Sequence, residues 1–318
     1  MVTFRGEILR MREMDFSKLK IAVFGDYCLD EYLWVDAALN EPSLETGLVA
    51  YQCTKREVFS GAAGTIAKNL SNLGIGTVYA VGYVGDDGRG HDLCNTLDKL
   101  NINREYLITA KNRLTPTYTK PWLIEDGKAR ELSRIDTKNW TPTPSTLEEA
   151  ALQNLRGLVK EIDALIILDQ MTEENCGIVT ERVRRELAHI ARFNPNLLVY
   201  GDSRCRTLLF EDMIIKGNEF EIPIEICEER AKIKPVIRTL GEKGLMIYSG
   251  DEKISIPGIQ VSGQIDVCGA GDMFTAAFVS ALCAGASLEE SGKLGNKAAA
   301  ICVTQLGTSG YVTAEDII

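Results

Sequence analysis

The chain has 318 residues and a mass of 35.0 kDa, and its 45% hydrophobic and 25% charged residues exclude a disordered or collagen-like protein. Its formal net charge of −10 gives no basic footprint, so we expect neither a nucleic-acid partner nor a membrane partner. Nine scattered cysteines without a C-x-x-C pair, two histidines, no signal-peptide pattern and no long apolar stretch predict a cytoplasmic protein without zinc or disulfides.

Short apolar runs predict the strands of a sheet. The first, IAVFG at 21–25, ends in glycine and predicts a buried strand that leads into a turn. Similar runs recur at 78–82, 164–168, 197–201, 213–215 and 236–240. Apolar residues at three- and four-residue spacing predict helices at 62–73, 89–100, 148–160, 173–193 and 273–285. This alternation predicts an α/β fold with a mainly parallel central sheet that is covered on both faces and binds ligands at the carboxyl ends of its strands.

Two segments interrupt this alternation and predict extra strands. Residues 31–58 and 113–136 contain alternating apolar and polar positions, and the second includes an EDGK turn at 125–128. We interpret both as hairpin strands that lie outside the main sheet. No linker, repeat or low-complexity tract divides the chain, so we expect one domain over residues 1–318.

A stretch of small residues precedes the last of the predicted helices listed above. Gly269, Ala270 and Gly271 leave the backbone N–H groups of its first turn accessible to an anion. Asp272 follows and has two interpretations: its carboxylate stabilises the positive helix end by about 0.3–1 kcal/mol, or it accepts a proton from a bound hydroxyl. N–H donors beside a carboxylate are what the phosphorylation of an alcohol needs.

This stretch resembles the C-terminal signature of the PfkB, or ribokinase-like, carbohydrate kinases. The match covers residues 266–272 and the small-residue helix after them. The resemblance implies a three-layer α/β/α fold with a small β-strand lid, and ATP-dependent phosphoryl transfer to a sugar hydroxyl with Mg²⁺. It implies that Asp272 is the general base and that the backbone of Gly269, Ala270 and Gly271 forms the anion hole. It also associates Asp266 with a monovalent cation, K⁺.

A second motif agrees with a nucleotide-binding role. Asn218 and Glu221 match the Asn-x-x-Glu motif that this family associates with magnesium and phosphate, with Gly217 in place of the usual proline. An amide and a carboxylate three residues apart can share one helical face and hold a hydrated Mg²⁺ through water. The same spacing is at least as typical of a helix cap.

Two later segments resemble the nucleotide side of the same kinases. Thr239, Gly241 and Gly244 resemble the loop that approaches ATP, although a tight hairpin turn uses glycines equally. Asn296 and residues 306–309 resemble the helix and turn on the adenine side. The order of these segments along the chain strengthens the resemblance.

The N-terminal half resembles the sugar side of the heptose-7-phosphate kinase branch of the family. By this resemblance Asp30 faces the sugar hydroxyls, where one carboxylate can accept two hydrogen bonds; a turn-capping role is the alternative. Lys120 and Arg134 lie in segments that resemble the lid of that branch and are candidates to meet a phosphate, unless they are simply solvated. Gly61 belongs to the first family signature.

Two positions depart from the pattern of the family. Where the first signature normally has an asparagine that touches the sugar, this chain has Gly64 or Thr65, depending on the alignment. Residues 169–171, Asp-Gln-Met, replace an Asp-Tyr-Gly-Lys stretch of the heptose branch. Both changes alter which hydroxyls or phosphates the chain can recognise.

The sequence therefore predicts an ATP-dependent kinase for a sugar or sugar phosphate, with a heptose-7-phosphate-like molecule among the substrates considered. A catalytically inactive nucleotide- or sugar-binding regulator on the same fold is the alternative. A dinucleotide dehydrogenase is not supported, because no G-x-G-x-x-G follows the first strand. Lids of this family often pair, so the resemblance also implies a homodimer through the lid.

Overall fold

The structure is a computed structural model that describes residues 14–305 and 310–318. Its strands are β1 (Lys20–Asp36), β2 (Glu41–Pro42), β3 (Val49–Ala50), β4 (Cys53–Ala62), β5 (Thr77–Gly85), β6 (Leu107–Ala110), β7 (Thr117–Glu125), β8 (Lys128–Glu131), β9 (Ile135–Thr137), β10 (Ala164–Asp169), β11 (Leu198–Ser203), β12 (Ile214–Asn218), β13 (Val236–Thr239), β14 (Gly244–Ser249) and β15 (Glu252–Pro257). Its α-helices are α1 (Ala63–Asn72), α2 (Gly88–Lys99), α3 (Ser145–Leu158), α4 (Glu181–Phe193), α5 (Ile224–Ala231), α6 (Ala270–Cys283), α7 (Leu288–Cys302) and α8 (Ala314–Ile317).

The main sheet follows the spatial order β15-β14-β13-β12-β11-β10-β1-β5-β6. All neighbours from β13 to β6 pair in parallel, and only the edge strands β14 and β15 pair antiparallel. The predicted, mainly parallel sheet is thus confirmed. Because β1, β10, β11 and β12 run in the same direction, their carboxyl ends meet at one edge of the sheet, where ligands bind in such folds.

Helices cover both faces of this sheet. Alternate residues of β1 point to opposite sides: Ile21 and Val23 join one hydrophobic cluster, and Ala22 and Phe24 join the other. The first cluster contains residues of α1, α2, α6, α7 and α8, and the second contains residues of α3, α4 and α5. Burial of both strand faces explains the continuous apolar runs in the sequence. The three-layer α/β/α prediction is confirmed. In the described part of the chain no helix is long and apolar enough to cross a membrane.

The lid is a second sheet, which shares strand β1 with the main sheet. β1 has 17 residues, of which Lys20–Asp26 pair with β5 in the main sheet, whereas Tyr27 and the residues after it pair with β4 and then β7. β7 also pairs with β8 and β9. The EDGK turn joins β7 to β8, with Asp126 and Gly127 at φ values of 50° and 73°. Two consecutive positive φ values are typical of a type I′ hairpin turn.

The structure corrects the predicted turn after Gly25. β1 continues through this residue without interruption. A Cβ atom on Gly25 would lie 2.3 Å from the backbone oxygen of Leu168 in β10. Glycine is therefore needed here because two strands approach closely, and not because the chain turns.

The structure also shortens the predicted helix at 173–193. α4 begins at Glu181, after Thr180, whose hydroxyl accepts the Val183 N–H as a helix cap. Residues 170–178 instead form a loop, in which the backbone N–H groups of Gln170, Met171 and Ile178 bind a buried carboxylate of another strand, described below. A helical spacing of apolar residues does not reveal such a distant partner.

Candidate functional site

A cleft of about 660 Å³ lies between the lid and the carboxyl ends of the parallel strands. Most of the residues selected from the sequence line it, namely Asp30, Lys120, Arg134, Asn218, Glu221, Thr239, Gly269, Gly271 and Asp272. Ala270 lies between two of these residues. The other selected residues, Gly61, Gly241, Gly244, Asp266 and Asn296, are not part of the lining. The structure thus brings the predicted base, the Asn-x-x-Glu pair and the lid cations around one space.

The 269–272 turn starts α6 at the floor of the cleft. Gly269, the residue before the helix, has φ 77°, a left-handed conformation that favours glycine. The Ala270 N–H donates to the Val267 carbonyl at 3.3 Å. A Cβ atom on Gly271 would lie 3.2 Å from the Lys216 Nζ. The two glycines therefore serve different needs, one of conformation and one of space. The Ala270 N–H, predicted to belong to the anion hole, is occupied by the Val267 carbonyl, whereas Gly269 and Gly271 line the cleft.

Asp272 lies in the first turn of α6 and faces the cleft. Desolvation at the cleft floor raises the pKa of its carboxyl to about 7. Lys216 opposes this increase in pKa, as Lys68 does more weakly, whereas the nearby carboxylates of Asp202 and Asp30 add to it. A pKa near neutrality suits a group that must accept a proton from a hydroxyl and later release it.

Lys216 is a site residue whose importance the sequence did not reveal. Its side chain is buried in the middle of β12, with Nζ 2.6 Å from Asp202 Oδ2. The same ammonium donates to the Gly271 carbonyl at 3.1 Å. Lys216 thus links β11 and β12 to the 269–272 turn. The available signal was a lysine directly after an apolar strand, immediately before the Asn-x-x-Glu motif.

Asn218 and Glu221 form a turn rather than one face of a helix. The Asn218 side-chain oxygen accepts the N–H groups of Phe220 at 2.8 Å and Glu221 at 3.1 Å. Glu221 Oε2 in turn accepts the Asn218 N–H at 2.8 Å. α5 begins only at Ile224. The helical-face argument for this pair is therefore wrong, although both side chains do line the cleft.

The lid supplies a paired carboxylate and lysine to the cleft. Lys120 Nζ lies 3.3 Å from Asp30 Oδ1 and donates to the Tyr32 hydroxyl at 3.1 Å. A Cβ atom on Gly61 would lie 2.7 Å from Asp30 Oδ2. The role of Gly61 is therefore steric, because the absence of a side chain leaves room for the Asp30 carboxylate.

Arg134 is also held in place on the lid. Its guanidinium binds both carboxylate oxygens of Asp136, at 2.6 and 2.7 Å, and stacks on the Tyr118 ring with 5.0 Å to the centroid. Lys138, a further cation of the cleft lining, lies 2.9 Å from Glu173. Each of these cations is paired with a carboxylate; the Arg134 side chain is 49% exposed, whereas the Lys138 side chain is largely buried.

Gly244 has a structural explanation. Thr239 lines the cleft, but Gly241 and Gly244 belong to the short turn between β13 and β14. Gly244 has φ 96°, and a Cβ atom there would lie 2.1 Å from the Ile256 backbone oxygen. The hairpin interpretation of this glycine explains its geometry without a nucleotide.

Asn296 and Asp266 lie outside the cleft lining. Asn296 on α7 donates its side-chain N–H to the Pro257 carbonyl at 2.9 Å. Asp266 accepts the Cys268 N–H at 2.9 Å just before the 269–272 turn. The adenine-side turn expected at residues 306–309 lies outside the described residues. Among the residues described, no group of three or more His, Cys, Asp or Glu side chains is placed to hold a metal ion.

Asp26, a buried carboxylate beneath the cleft, is a second residue whose importance the sequence did not reveal. Asp26 of β1 accepts the backbone N–H groups of Gln170, Met171 and Ile178 at 2.9, 3.1 and 2.7 Å. Desolvation and the nearby Asp169 carboxylate together raise the pKa of its carboxyl to about 6, although the three N–H donors oppose this increase. Asp26 thus fixes the loop that carries Gln170, a cleft-lining residue, to the strand that becomes the lid.

The missing asparagine of the sugar signature is not replaced by its neighbours. Thr65 lines the cleft, but its hydroxyl donates to the Ser60 carbonyl at 3.0 Å. Gly64 lies against Ser60, and a Cβ atom there would be 2.8 Å from that residue's Cβ. Neither position offers an amide to the cleft.

Comparisons with known proteins agree with this architecture. The chain is 27% identical, over 318 residues, to the bifunctional protein HldE of Desulfatibacillum aliphaticivorans, with 94% of this chain and 63% of that protein covered. The chain thus spans less than two thirds of the length of this relative. The ribokinase of Thermotoga maritima has a TM-score of 0.67 at 25% identity, with 94% of this chain and 98% of that chain covered.

A further fold match is the ribokinase of Arabidopsis thaliana complexed with ribose and ATP. It has a TM-score of 0.64 at 20% identity and covers 94% of this chain and 96% of its own. The model of the pfkB family of carbohydrate kinases matches residues 19–314, which is most of the chain. With its ribokinase-like fold and its aspartate-bearing helix start in the cleft, the chain belongs to the pfkB family of carbohydrate kinases.

Proposed function

We propose that the protein transfers the γ-phosphoryl group of ATP to a hydroxyl of a sugar or sugar phosphate, with Asp272 as the general base. The observation that carries the proposal is the position of Asp272. Its carboxyl lies at the first turn of α6, faces the cleft, and has its pKa raised to about 7 by desolvation. A base with this pKa is about half ionised at neutral pH, so it can both accept a proton and release it.

The 269–272 turn and Lys216 supply positive potential beside this base. The first-turn N–H groups of a helix lack partners within the helix and carry its positive dipole end. Lys216 adds a buried ammonium that contacts the Gly271 carbonyl. In the proposed reaction, Asp272 takes the hydroxyl proton as the sugar oxygen bonds to the γ-phosphorus and the bond to ADP breaks. The turn and Lys216 stabilise the charge that develops on the phosphoryl oxygens.

The donor set fits MgATP held through water and phosphate. Asn218 and Glu221 line the cleft, but one Glu221 oxygen and the Asn218 oxygen already accept backbone N–H groups. They therefore suit a hydrated Mg²⁺, which usually keeps several waters and binds few protein oxygens directly. When bound, MgATP supplies the phosphoryl group and neutralises part of its charge. We assign Thr239, Gly241, Gly244 and Asn296 to the nucleotide side and Asp266 to a K⁺ site on the family resemblance alone.

The lid end of the cleft is the proposed sugar side. Asp30 can accept hydrogen bonds from hydroxyls, and Gly61 leaves space for its carboxylate. Lys120, Arg134 and Lys138 line this end, each paired with a carboxylate that a bound phosphate could replace as its partner. A phosphorylated sugar such as a heptose 7-phosphate suits three cations in a chain whose net charge is −10. The substrate class is thus proposed as a sugar or sugar phosphate.

The Asp272→Asn variant tests this function. We expect turnover to fall by about 10²- to 10⁴-fold, the usual contribution of a general base, while ATP binding stays nearly intact. Sugar-stimulated ADP release and ATP binding by calorimetry are the two measurements. A variant that retains turnover contradicts the role of Asp272. A wild-type chain that binds ATP and sugars but releases no ADP with any sugar is instead a binding regulator.

We also infer that the protein is a cytoplasmic homodimer that pairs through the lid. The loop between β1 and β4, which carries the β2–β3 hairpin, exposes Leu44, Leu48 and Val49 to solvent. Exposed apolar side chains at a sheet edge are usually covered in an assembly. Light scattering should give twice the 35.0 kDa chain mass, and Leu48→Asp should reduce it. A wild-type mass equal to one chain contradicts the dimer.

A further inference from the structure

The outer face of the lid contacts helix α2 through charged side chains. Successive residues of a strand point to opposite faces of a sheet. Asp30 of β1 accordingly lines the cleft, whereas the next residue, Glu31, contacts Arg89 of α2 on the other face. The Glu31 side chain is only 7% exposed. A carboxylate that is buried to this extent needs charged or hydrogen-bonding partners.

Three elements supply the partners of Glu31. Arg56 of β4 donates its Nε–H to Glu31 Oε1 at 2.7 Å. The Thr119 hydroxyl of β7 and Arg89 of α2 donate to Oε2 at 2.7 and 3.4 Å. Desolvation alone would raise the pKa of Glu31, but the Thr119 and Arg56 hydrogen bonds and the charges of both arginines hold that pKa below its ordinary value. Glu31 is therefore an ionised carboxylate at neutral pH.

The two arginines cross between the lid and the helix in opposite directions. Arg56, on the lid, also donates to Asp92 Oδ2 of α2 at 2.6 Å. Arg89, on α2, also donates to the Thr137 hydroxyl of β9 at 3.1 Å. Lid strands β1, β4, β7 and β9 are thus all connected to one helix. This helix follows β5, the neighbour of β1 in the main sheet, and so belongs to the body of the protein.

These contacts lie directly behind the Asp30–Lys120 pair of the cleft. Glu31 and Thr119 are opposite each other in the register of β1 and β7. Asp30 and Lys120 are the adjacent residues of the same two strands, and both line the cleft. A displacement of Glu31 from α2 would therefore also displace the carboxylate proposed to meet the sugar.

We propose that Glu31, Arg56, Arg89 and Asp92 form a latch that holds the lid on α2, and that Glu31 is thereby a positioning residue for Asp30. The positioning role rests on the proposed function, because it takes the ligand of Asp30 to be a sugar, whereas the latch itself does not. Apparent affinity falls in proportion to the fraction of molecules whose lid is in place. Both arginine side chains are partly exposed, so each contact contributes modestly, and its loss changes this fraction without unfolding the lid.

Hydrogen exchange measured by mass spectrometry tests the latch without any ligand. Wild type is compared with Arg89→Met, Arg89→Lys and the matched control Arg104→Met. Arg104 also binds an aspartate of α2, with Nε 2.6 Å from Asp98 Oδ1, but it lies outside the lid. We expect Arg89→Met to accelerate exchange in lid residues 117–137 about threefold and to leave β10 unchanged. Arg89→Lys should restore most of the protection, and Arg104→Met should alter neither region.

Two results of this experiment overturn the latch. One is equal lid exchange in Arg89→Met and wild type. The other is an equal acceleration of exchange in the lid and in β10, because it indicates a general loss of stability rather than a displaced lid.

Steady-state kinetics test the positioning role. A panel of pentoses, hexoses and phosphorylated heptoses is screened for ADP release, and the sugar with the highest kcat/KM is used with each variant. Arg89→Met should raise the KM for this sugar about threefold with kcat and the KM for ATP unchanged, because bound sugar holds the lid in place. Arg89→Lys should restore the KM.

An unchanged sugar KM in a variant with faster lid exchange overturns the positioning role, as does a fall in kcat alone. If no sugar stimulates ADP release, the proposed function fails and the positioning role fails with it. The exchange measurement still decides the latch in that case, so the two failures are distinguishable.

Discussion

The ammonium of Lys216 lies 2.6 Å from the Asp202 carboxylate, and from this position it also reaches the carbonyl of the residue before Asp272. A cation is thereby fixed beside the proposed base by a pairing between two neighbouring strands. The charges of Asp202 and Asp30 raise the pKa of Asp272, and the charge of Lys68 lowers it. The pKa of the base is thus a balance between desolvation and four charged groups.

Lys216→Met should shift the pH dependence of the reaction. Removal of the cation leaves Asp202 and Asp30 to raise the pKa of Asp272 above about 7. The half-maximal point of kcat/KM on the acid side should then move to higher pH, and activity at pH 7 should fall about tenfold. Lys216→Arg keeps the charge and is the matched control. A Met variant with an unshifted pH profile contradicts the electrostatic role of Lys216.

Asp272→Asn should stabilise the fold at alkaline pH. The pKa of this carboxyl in the folded state, about 7, lies above the ordinary value of 3.8. Between these pH values the folded state binds more protons than the unfolded state, so wild-type stability falls as pH rises through this window. The variant lacks this loss and should melt at a higher temperature than the wild type at pH 8, and at a similar temperature near pH 4. Asp251→Asn, in an exposed turn, serves as the control. Equal melting temperatures of Asp272→Asn and wild type at pH 8 exclude a desolvated carboxylate at this position.

Ala62→Gly should stabilise the protein. Ala62, the last residue of β4 and the residue before α1, has φ 53° and ψ −120°, a conformation that residues other than glycine rarely adopt. Relief of this strain outweighs the added freedom of glycine in the unfolded chain, so we expect a gain of about 1 kcal/mol in the free energy of unfolding. The neighbouring Ala63→Gly, inside the helix, should instead cost about 1 kcal/mol. Urea titrations of both variants decide between these signs.

Gly177→Ala should loosen the loop under the cleft. The new Cβ would lie 2.5 Å from Asp26 Oδ1, and three backbone N–H groups hold that carboxylate in place. We expect a loss of about 1–3 kcal/mol in the free energy of unfolding. Gly157→Ala, at an exposed helical position with open space, should gain about 0.5–1 kcal/mol. If the two variants unfold at the same urea concentration, the loop does not depend on Asp26.

The sequence predicted the layers of the fold and the helix start at residues 269–272 because both depend on local patterns. Buried parallel strands require apolar residues on both faces, as in the 164–168 run that became β10. The small residues before Asp272 are contiguous in the chain. The family resemblance then placed Asp30 and Asn218 at the same cleft.

The remainder of the site depends on contacts between distant residues. Asp26 and Gln170 are separated by 144 positions, and neither residue type indicates the other. Nothing in the sequence around Lys216 indicates its partners, which come from β11 and α6. For the same reason Gly25, which the close approach of β10 requires, was interpreted from the sequence as the start of a turn. Long-range packing, rather than a local pattern, selects these residues.

Because β1 runs without interruption from the main sheet into the lid, a continuous strand and not a flexible loop joins the two sheets. The lid cannot tilt unless β1 changes its twist between Asp26 and Asp30, just where a buried carboxylate anchors it. Asp26 therefore fixes β1 just before the lid begins, and the same carboxylate holds the loop of Gln170. A ligand that moves the lid therefore also acts on the loop at the floor of the cleft, so closure of the lid and order in this loop are mechanically coupled.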